Sequence, residues 1–304
     1  MTRKNTQRQD IYSRVTNQII ADLEQGVRSW AKPWSAEHTS GRITRPLRHN
    51  GQAYSGINVL MLWGAAIEHG FSASTWMTFR QALELGAHVR KGEKGSPVVY
   101  ANTLTRTEES DNGEQVEHQI PYMKSYSVFN VEQIEDLPDN YYETPEPRFN
   151  APQRIEHAEN FFSATDAALK HGGNRAYYSV GSDHVQMPCF ESFRDPESYY
   201  ATLAHEITHW TRHKSRLDRS FGRKRFGDEG YAREELVAEL GSAFLCADLE
   251  LTLDVRDDHS AYIASWLQVL KNDKRAVFSA AAHAQRAADY LHSLQNSSTK
   301  SEVA

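Results

Sequence analysis

The sequence predicts an α+β protein of two domains, a mixed α/β amino-terminal domain and a mostly helical carboxyl-terminal one. Three observations lead there. Short helix-like and strand-like patterns alternate as far as residue 134. A stretch rich in proline and acidic residues, 135–152, then interrupts the periodicity and reads as a linker. Beyond it the apolar residues recur mainly at helical spacing. At 304 residues and 39% hydrophobic content the chain has room for two ordinary cores. The expected division is a first domain over 8–134, the linker, a second domain over 153–295, and a polar tail, 296–304, expected to be disordered.

Each element has a local reason. Ile11, Val15, Ile19 and Leu23 recur every four residues, which predicts an amphipathic helix over 9–25, stopped by Gly26. A loop rich in Gly, Pro, Arg and His follows, opened by Trp30, Pro33 and Trp34. Residues 59–69 read as a helix ended by Gly70, and 75–81 lead into a short helix to Leu85. A glycine-basic turn over 86–95 introduces a strand at 97–102, a polar hairpin tip at 105–117 and a strand at 123–130. In the second half a helix is expected over 154–171 and a hairpin over 175–187. Helices at 199–210 and 232–249 flank a basic connector, 212–225, which reads as a solvated loop or as a nucleic-acid contact. Helices at 259–271 and 274–295 close the domain, the last one alanine-rich over 276–288 and suited to close packing.

The chemistry concentrates in the segment His205-Glu206-Ile207-Thr208-His209. Histidines at i and i+4 stand one above the other on a helix face, so both imidazoles can reach one ion. Glu206 sits beside them as a candidate general base. Leu203, Ile207 and Trp210 put the pair next to a buried stripe, where an unligated imidazole would need other partners. On the second helix Glu235 and Glu239 are again four apart. That spacing suits one carboxylate on the metal and the other hydrogen-bonding a ligand imidazole from outside. Glu234 is a lesser candidate ligand, because it lies about 100° round the helix from Glu235. The donor set favours one zinc ion per chain, with another divalent metal as the alternative.

HEITH, with EELVAEL placing Glu235 26 residues beyond His209, resembles the paired signature of the gluzincin-type metallopeptidases. The resemblance implies a zincin-like domain with His205, His209 and Glu235 as ligands, Glu206 as the base and Glu239 behind the ligands. Those enzymes often stabilise the oxyanion with a tyrosine, histidine or arginine. No motif fixes that residue here, and Tyr178, Tyr231 and His259 are the candidates. An edge strand before the metal helix often lines the cleft in such peptidases, and the 175–187 hairpin is equally open to that role and to a plain structural one.

The net charge of −6 is unevenly distributed. Residues 1–100 hold 13 Lys and Arg against 7 Asp and Glu, whereas 101–304 hold 21 against 33. Charge alone leaves a polyanionic partner and an ordinary two-domain partition equally open. The aromatic and basic residues of the first domain add a mode: rings that stack unpaired bases and cations that follow phosphates. Trp30, Trp34, Tyr54, Trp76, Arg45, Arg48, Arg80, Arg90, Lys91 and Lys94 form that pool, the last three displayed by a glycine-rich turn. No apolar run approaches the roughly 20 residues of a membrane span, and the first residues lack a signal-peptide core. Cys189 and Cys246 fit no disulfide framework or CxxC pair. A soluble protein of the cytoplasm with reduced thiols is the expectation.

The block from IYSRVTNQII to Trp34, then YSGIN, WMTFRQA and the VRKGEKG turn, resembles the single-stranded-DNA-binding domain of plasmid antirestriction proteins of the ArdC type, which is related to a region of conjugative primases. AYYS, HEITHWT, YAREELVAELGSAFL and YIASWLQVLKND resemble the metallopeptidase domain of the same family. The resemblance spans residues 8–291. It implies binding to single-stranded DNA, transfer with conjugating DNA into the recipient cell, and protection of incoming plasmid from restriction, with a protein substrate of unknown identity. A non-enzymatic shield that coats single strands, with a structural or idle metal, is the competing reading.

Overall fold

A computed structural model describes residues 10–25, 44–109, 115–142, 151–222, 228–251 and 260–298. Two compact units emerge, and the chain passes between them more than once. One comprises Met1–Pro46, Ala53–Ser72 and Thr144–Ala304; the other comprises Leu47–Gln52 and Ala73–Glu143. The sheet-bearing unit and the helical unit together make the α+β class read from the sequence, but the partition is not the single cut that the 135–152 segment suggests.

The smaller unit is built on a four-stranded sheet of order β1-β2-β5-β4, with β1 at Leu47–Arg48, β2 at Thr75–Met77, β4 at Ser96–Glu109 and β5 at Gln115–Asn130. β1 runs parallel to β2, and β2 antiparallel to β5. β4 and β5 form a long hairpin whose ladder runs from Ser96 opposite Val128 to Glu109 opposite Gln115, so the strands reach well into the stretch the sequence reads as a tip. Thr78 and Gln81 form a capping box that starts helix α3 at Phe79–Glu84. β3, His88–Val89, pairs with β6, Ile134–Glu135, so the expected linker begins inside a strand. Met77, Ala82, Ala87, Val131, Ile134 and Leu137 make the core beneath these pieces.

The larger unit gathers α1, Ile11–Glu24, and α2, Ile57–His69, with the carboxyl-terminal helices. Asp10 caps α1 by accepting from the Ser13 amide. The stripe Val15, Ile19 and Leu23 is buried, and Thr16 donates to the Lys274 carbonyl at 2.7 Å, 258 residues away. Lys271 and Lys274 pair with Glu24 and Asp10 at the two ends of α1. α2 ends on Gly70, whose left-handed φ of 73° suits a residue without a Cβ. A three-stranded sheet of order β7-β9-β8 uses Ala168–His171, His184–Met187 and Tyr177–Ser179. Helices α4 (Ala151–Ser163), α5 (Pro196–Trp210), α6 (Glu229–Asp248), α7 (Ser260–Asn272) and α8 (Ala276–Ser298) complete the unit. α6 is buried from Glu234 to Ala247 and packs against α5, α7 and α8.

Two expectations need correction. The helix expected over 154–171 ends at Ser163, and residues 168–171 form β7 instead. Thr165 turns its hydroxyl back to the Phe162 carbonyl and Asp166 takes a left-handed φ of 54°, which no helix accommodates. The tail expected from 296 onward is helical to Ser298 as the end of α8; residues 299–304 lie outside the described set. Among the described residues no helix is long and apolar enough to cross a membrane.

Candidate metal centre

Asp195 caps α5 and Pro196 occupies its first turn, so the helix starts where a missing amide costs nothing and carries His205, Glu206 and His209 in its second half. Asp228 caps α6 in the same way and sets the phase of Glu234, Glu235 and Glu239. The two helices approach closely because α6 presents Gly241 to α5: a Cβ there would lie 2.5 Å from Thr208 Cγ2 and 2.8 Å from its Oγ1. Ser242 adds a hydrogen bond to the Ala201 carbonyl at 3.0 Å.

This approach brings one donor atom each from His205, His209 and Glu235 within 4.8 Å of one another, all three residues buried. His205 Nε2 lies 3.5 Å from Glu235 Oε2, and His209 Nε2 lies 3.5 Å from Glu235 Oε1. Bonds of about 2.0–2.1 Å in a tetrahedron require donor separations of roughly 3.4 Å, close to the separation of each imidazole from the carboxylate, so the three residues suit a divalent cation. Behind these atoms, Glu239 lies 3.7 Å from His205 Nδ1 and Glu234 lies 3.1 Å from His209 Nδ1. Glu206 is on the same helix and only 4% exposed.

The electrostatics match a site built for positive charge. Burial works against ionising Glu235, yet the neighbouring His209 charge and hydrogen bonds from both imidazoles hold its carboxyl far below the usual range. Burial likewise opposes ionisation of Glu234, but hydrogen bonds from His209 and Arg219 bring it to about 2. For His209 burial disfavours the cation, and the Glu235 and Glu234 carboxylates overcome it, raising the pKa to about 10. His209 therefore carries a proton in the metal-free protein at pH 8, and a cation must displace it. Calorimetric titration of metal into the chain at pH 8, in buffers of different ionisation enthalpy, is expected to show about one proton released per ion and an affinity that rises with pH up to about 10. Binding that is independent of pH between 7 and 9 would contradict this protonation state.

The other sequence candidates separate into groups. Tyr178 donates to Asp183 at 2.8 Å and receives Arg216, and burial with that carboxylate pushes its pKa up to about 12, so it is tied into a cluster rather than open. Tyr231 follows the Asp228 cap at the start of α6, and His259 lies outside the described residues. β8 is an edge strand of its sheet and α5 packs on it. The basic connector is in part internal: Arg216 pairs with Asp183 and stacks on Trp210, and Arg219 pairs with Glu234.

Of the pool of rings and cations, Trp30 and Trp34 lie outside the described residues. Arg45, Tyr54 and Trp76 are buried and offer no surface to a strand of DNA, which corrects their reading as exposed contacts. Large rings complete cores, and Arg45 forks onto Asp248 with two bonds of 2.8 Å, donates to Gln285 and lies over the Phe244 ring. Arg80 pairs with Glu84 and Arg90 with Glu93, while Arg48, Lys91 and Lys94 are on the surface. The smaller unit is not basic: Leu47–Gln52 and Ala73–Glu143 hold 7 Lys and Arg against 12 Asp and Glu, and six of the eight basic residues of 1–46 lie outside the described residues.

The ladder reveals a surface that sequence reading missed. Tyr100 opposite Lys124 and Asn102 opposite Tyr122 share one face of the β4–β5 hairpin, which Tyr126 continues opposite the buried Val98. Tyr100 is 46% and Tyr126 39% exposed, Tyr100 and Tyr122 have ring centroids 6.3 Å apart, and the Lys124 ammonium lies over the Tyr122 ring. Alternation in a polar-looking strand was the available signal, but without the register it names no face.

Comparison with known proteins adds to this geometry. A family model described as the N-terminal domain of anti-restriction factor ArdC matches residues 9–129, and one described as a zincin-like metallopeptidase matches residues 156–283. The chain is 43% identical over 299 residues to the uncharacterized protein y4eC of Sinorhizobium fredii, covering 97% of this chain and 95% of that one. It is 36% identical over 296 residues to the DNA primase TraC of Escherichia coli, of which it spans 27%. A metal-free crystal structure of the antirestriction ArdC protein from the R388 plasmid superposes with a TM-score of 0.80 at 47% identity, over 95% of this chain and 98% of that one. A Mn(II)-bound structure of the same protein superposes at 0.78 with 46% identity, over 94% of this chain and 98% of that one.

Proposed function

The chain belongs to the ArdC family of antirestriction proteins, and from that premise we propose that it binds single-stranded DNA and carries a zinc-dependent peptidase site, protecting incoming plasmid DNA during conjugation. The observation that carries the peptidase half is the convergence of three buried donors from α5 and α6 around one point, with Glu206 on the same helix. Support for the metal also comes from the relative whose structure holds Mn(II).

In this reading His205, His209 and Glu235 would hold the ion. A zinc ion held there would supply Lewis acidity toward a peptide carbonyl and toward water. Glu206 accepts the proton of the attacking water and hands it to the leaving amine. Glu239 steadies His205 from behind. Elemental analysis of chain purified without added metal tests the ligand set. About one equivalent of zinc is expected, and none in a His205→Ala/His209→Ala variant. An unchanged metal content in that variant would remove the assignment.

For the DNA half, we infer that the tyrosine face of the β4–β5 hairpin stacks bases while Lys91, Lys94 and Lys124 meet phosphates. Since the smaller unit is acidic overall, stacking rather than a broad positive field must supply the affinity. Two measurements follow, both on the full chain, because a fragment ending near residue 130 would strip α1 and α2 of the helices they pack on. A Tyr100→Ala/Tyr126→Ala variant is expected to bind an oligothymidine at least about tenfold more weakly, given roughly 1–3 kcal/mol per stacked base. Log affinity should fall against log salt with a slope of about −2, as three phosphate contacts on a single strand give. A slope near −5 with unimpaired binding by the tyrosine variant would instead move the site to the basic residues of 1–46.

A further inference from the structure

Among the described residues, a fully buried ion pair lies not among the candidate metal ligands but behind one of them. Glu234 precedes Glu235 on α6 and so points about 100° away from it. Its Oε1 faces His209 Nδ1 at 3.1 Å. Arg219 then forks onto the same carboxylate, Nε to Oε2 at 2.9 Å and Nη2 to Oε1 at 2.8 Å, with both side chains almost completely buried, at 1% and 2% exposure. Two further N–H groups of Arg219 are also used: Nη2 donates to the Thr208 carbonyl at 2.9 Å and Nη1 to Thr211 Oγ1 at 3.0 Å. Arg219 thus bridges α6 to the last turn of α5, one residue from His209.

Resting on the reading of His205, His209 and Glu235 as a metal site, we propose that Arg219 and Glu234 are positioning residues that lock the His209 imidazole in the orientation presenting Nε2 to the ion. The physical reason is geometric. A carboxylate held by two parallel N–H bonds cannot rotate, so its bond to Nδ1 fixes both the ring plane and the tautomer. His209 has a closed chain of bonds running back to its own helix. This gives the basic connector after α5 an internal task. Arg219 is brought in by a tight turn in which Asp218 adopts a φ of 43° and the Arg219 amide donates to the Arg212 carbonyl at 3.1 Å.

A purely structural ion pair and a positioning pair respond differently to being replaced together. Exchanging both members for apolar residues of similar size often leaves stability unchanged or improved, because neither member is left buried alone, and His209, which also faces Glu234, keeps the Glu235 carboxylate beside it. In the full chain, the Arg219→Met/Glu234→Leu variant is therefore expected to unfold near the wild-type temperature when metal-free. Its Zn(II) affinity, measured by chelator competition, should nevertheless be 10–100-fold weaker. The visible absorption of its Co(II)-loaded form should shift, since the ligand field depends on the His209 angle. Wild-type Zn(II) affinity and an unshifted Co(II) spectrum in a folded double variant would overturn the proposal. Should the double variant not fold, Glu234→Gln is read the same way: it keeps the volume, and unaltered metal affinity and spectrum there overturn the proposal equally. The His205→Ala/His209→Ala variant separates the premise from the inference. If it binds Zn(II) as the wild type does, the metal reading fails and the clamp with it. If it loses Zn(II) while the double variant keeps full affinity, only the clamp fails.

Discussion

Replacing Glu206 by glutamine is expected to lower peptide hydrolysis by about 10²–10⁴-fold while leaving metal content and single-stranded-DNA affinity at wild-type levels. Glutamine has the volume of glutamate, which matters at a position only 4% exposed, and it still hydrogen-bonds. It cannot take a proton. Glu206 lies in the larger unit and the tyrosine face in the smaller one, so the two proposed activities rest on different groups. Cleavage of a fluorogenic peptide pool by the wild type, set against the Glu206→Gln protein with its zinc verified, makes the comparison. Undiminished cleavage by the variant would mean that another residue is the base. Plasmid transfer into a restricting recipient then separates the two readings of protection. Loss of protection with Glu206→Gln assigns it to cleavage of a protein, and retention assigns it to strand coating.

What could be read in advance was what is local. The i, i+4 spacing of His205 and His209 is a property of one helix, and so is the stripe Val15, Ile19 and Leu23 on α1. Their partners were not local. Nothing in the α1 sequence announces Lys274, 258 residues on, nor does Arg45 announce Asp248. Charge counting along the chain names no surface for the same reason, since the unit that carries Lys91 and Lys94 also takes in the acidic residues of 101–143 and holds more acidic than basic residues. The sequence makes Glu234 a lesser candidate ligand because it lies about 100° round α6 from Glu235, and in the structure it is not one of the three converging donors. Its target is the other nitrogen of His209. Arg219 gave no signal at all, because an aperiodic connector does not reveal which of its cations turns inward.

Gly241→Ala is expected to destabilise the protein by about 1–3 kcal/mol and to weaken metal binding at the same time. The added methyl would sit 2.5 Å from Thr208 Cγ2 and 2.8 Å from Oγ1. Thr208 has little room to give: it is fully buried, and its hydroxyl is bonded to the Ala204 carbonyl at 2.8 Å. Relief must come from separating α5 and α6. Glu235, two turns before Gly241 on α6, would then retreat from His205 and His209, whose separations from it already match an ion's requirement. A stabilising term is also present, since alanine is favoured over glycine in a helix by about 1 kcal/mol, so a net loss requires the steric cost to exceed it. Thr208→Ala is the compensating change. It removes the two closest atoms and leaves the Thr208 Cβ position 3.2 Å from the new methyl, a contact that a shift of a few tenths of an ångström relieves. A double-mutant cycle in thermal unfolding and zinc affinity should therefore show a favourable coupling of at least about 1 kcal/mol between the two substitutions. Additive effects, or a Gly241→Ala protein with native stability and native zinc affinity, would mean that the helix approach does not set the metal geometry.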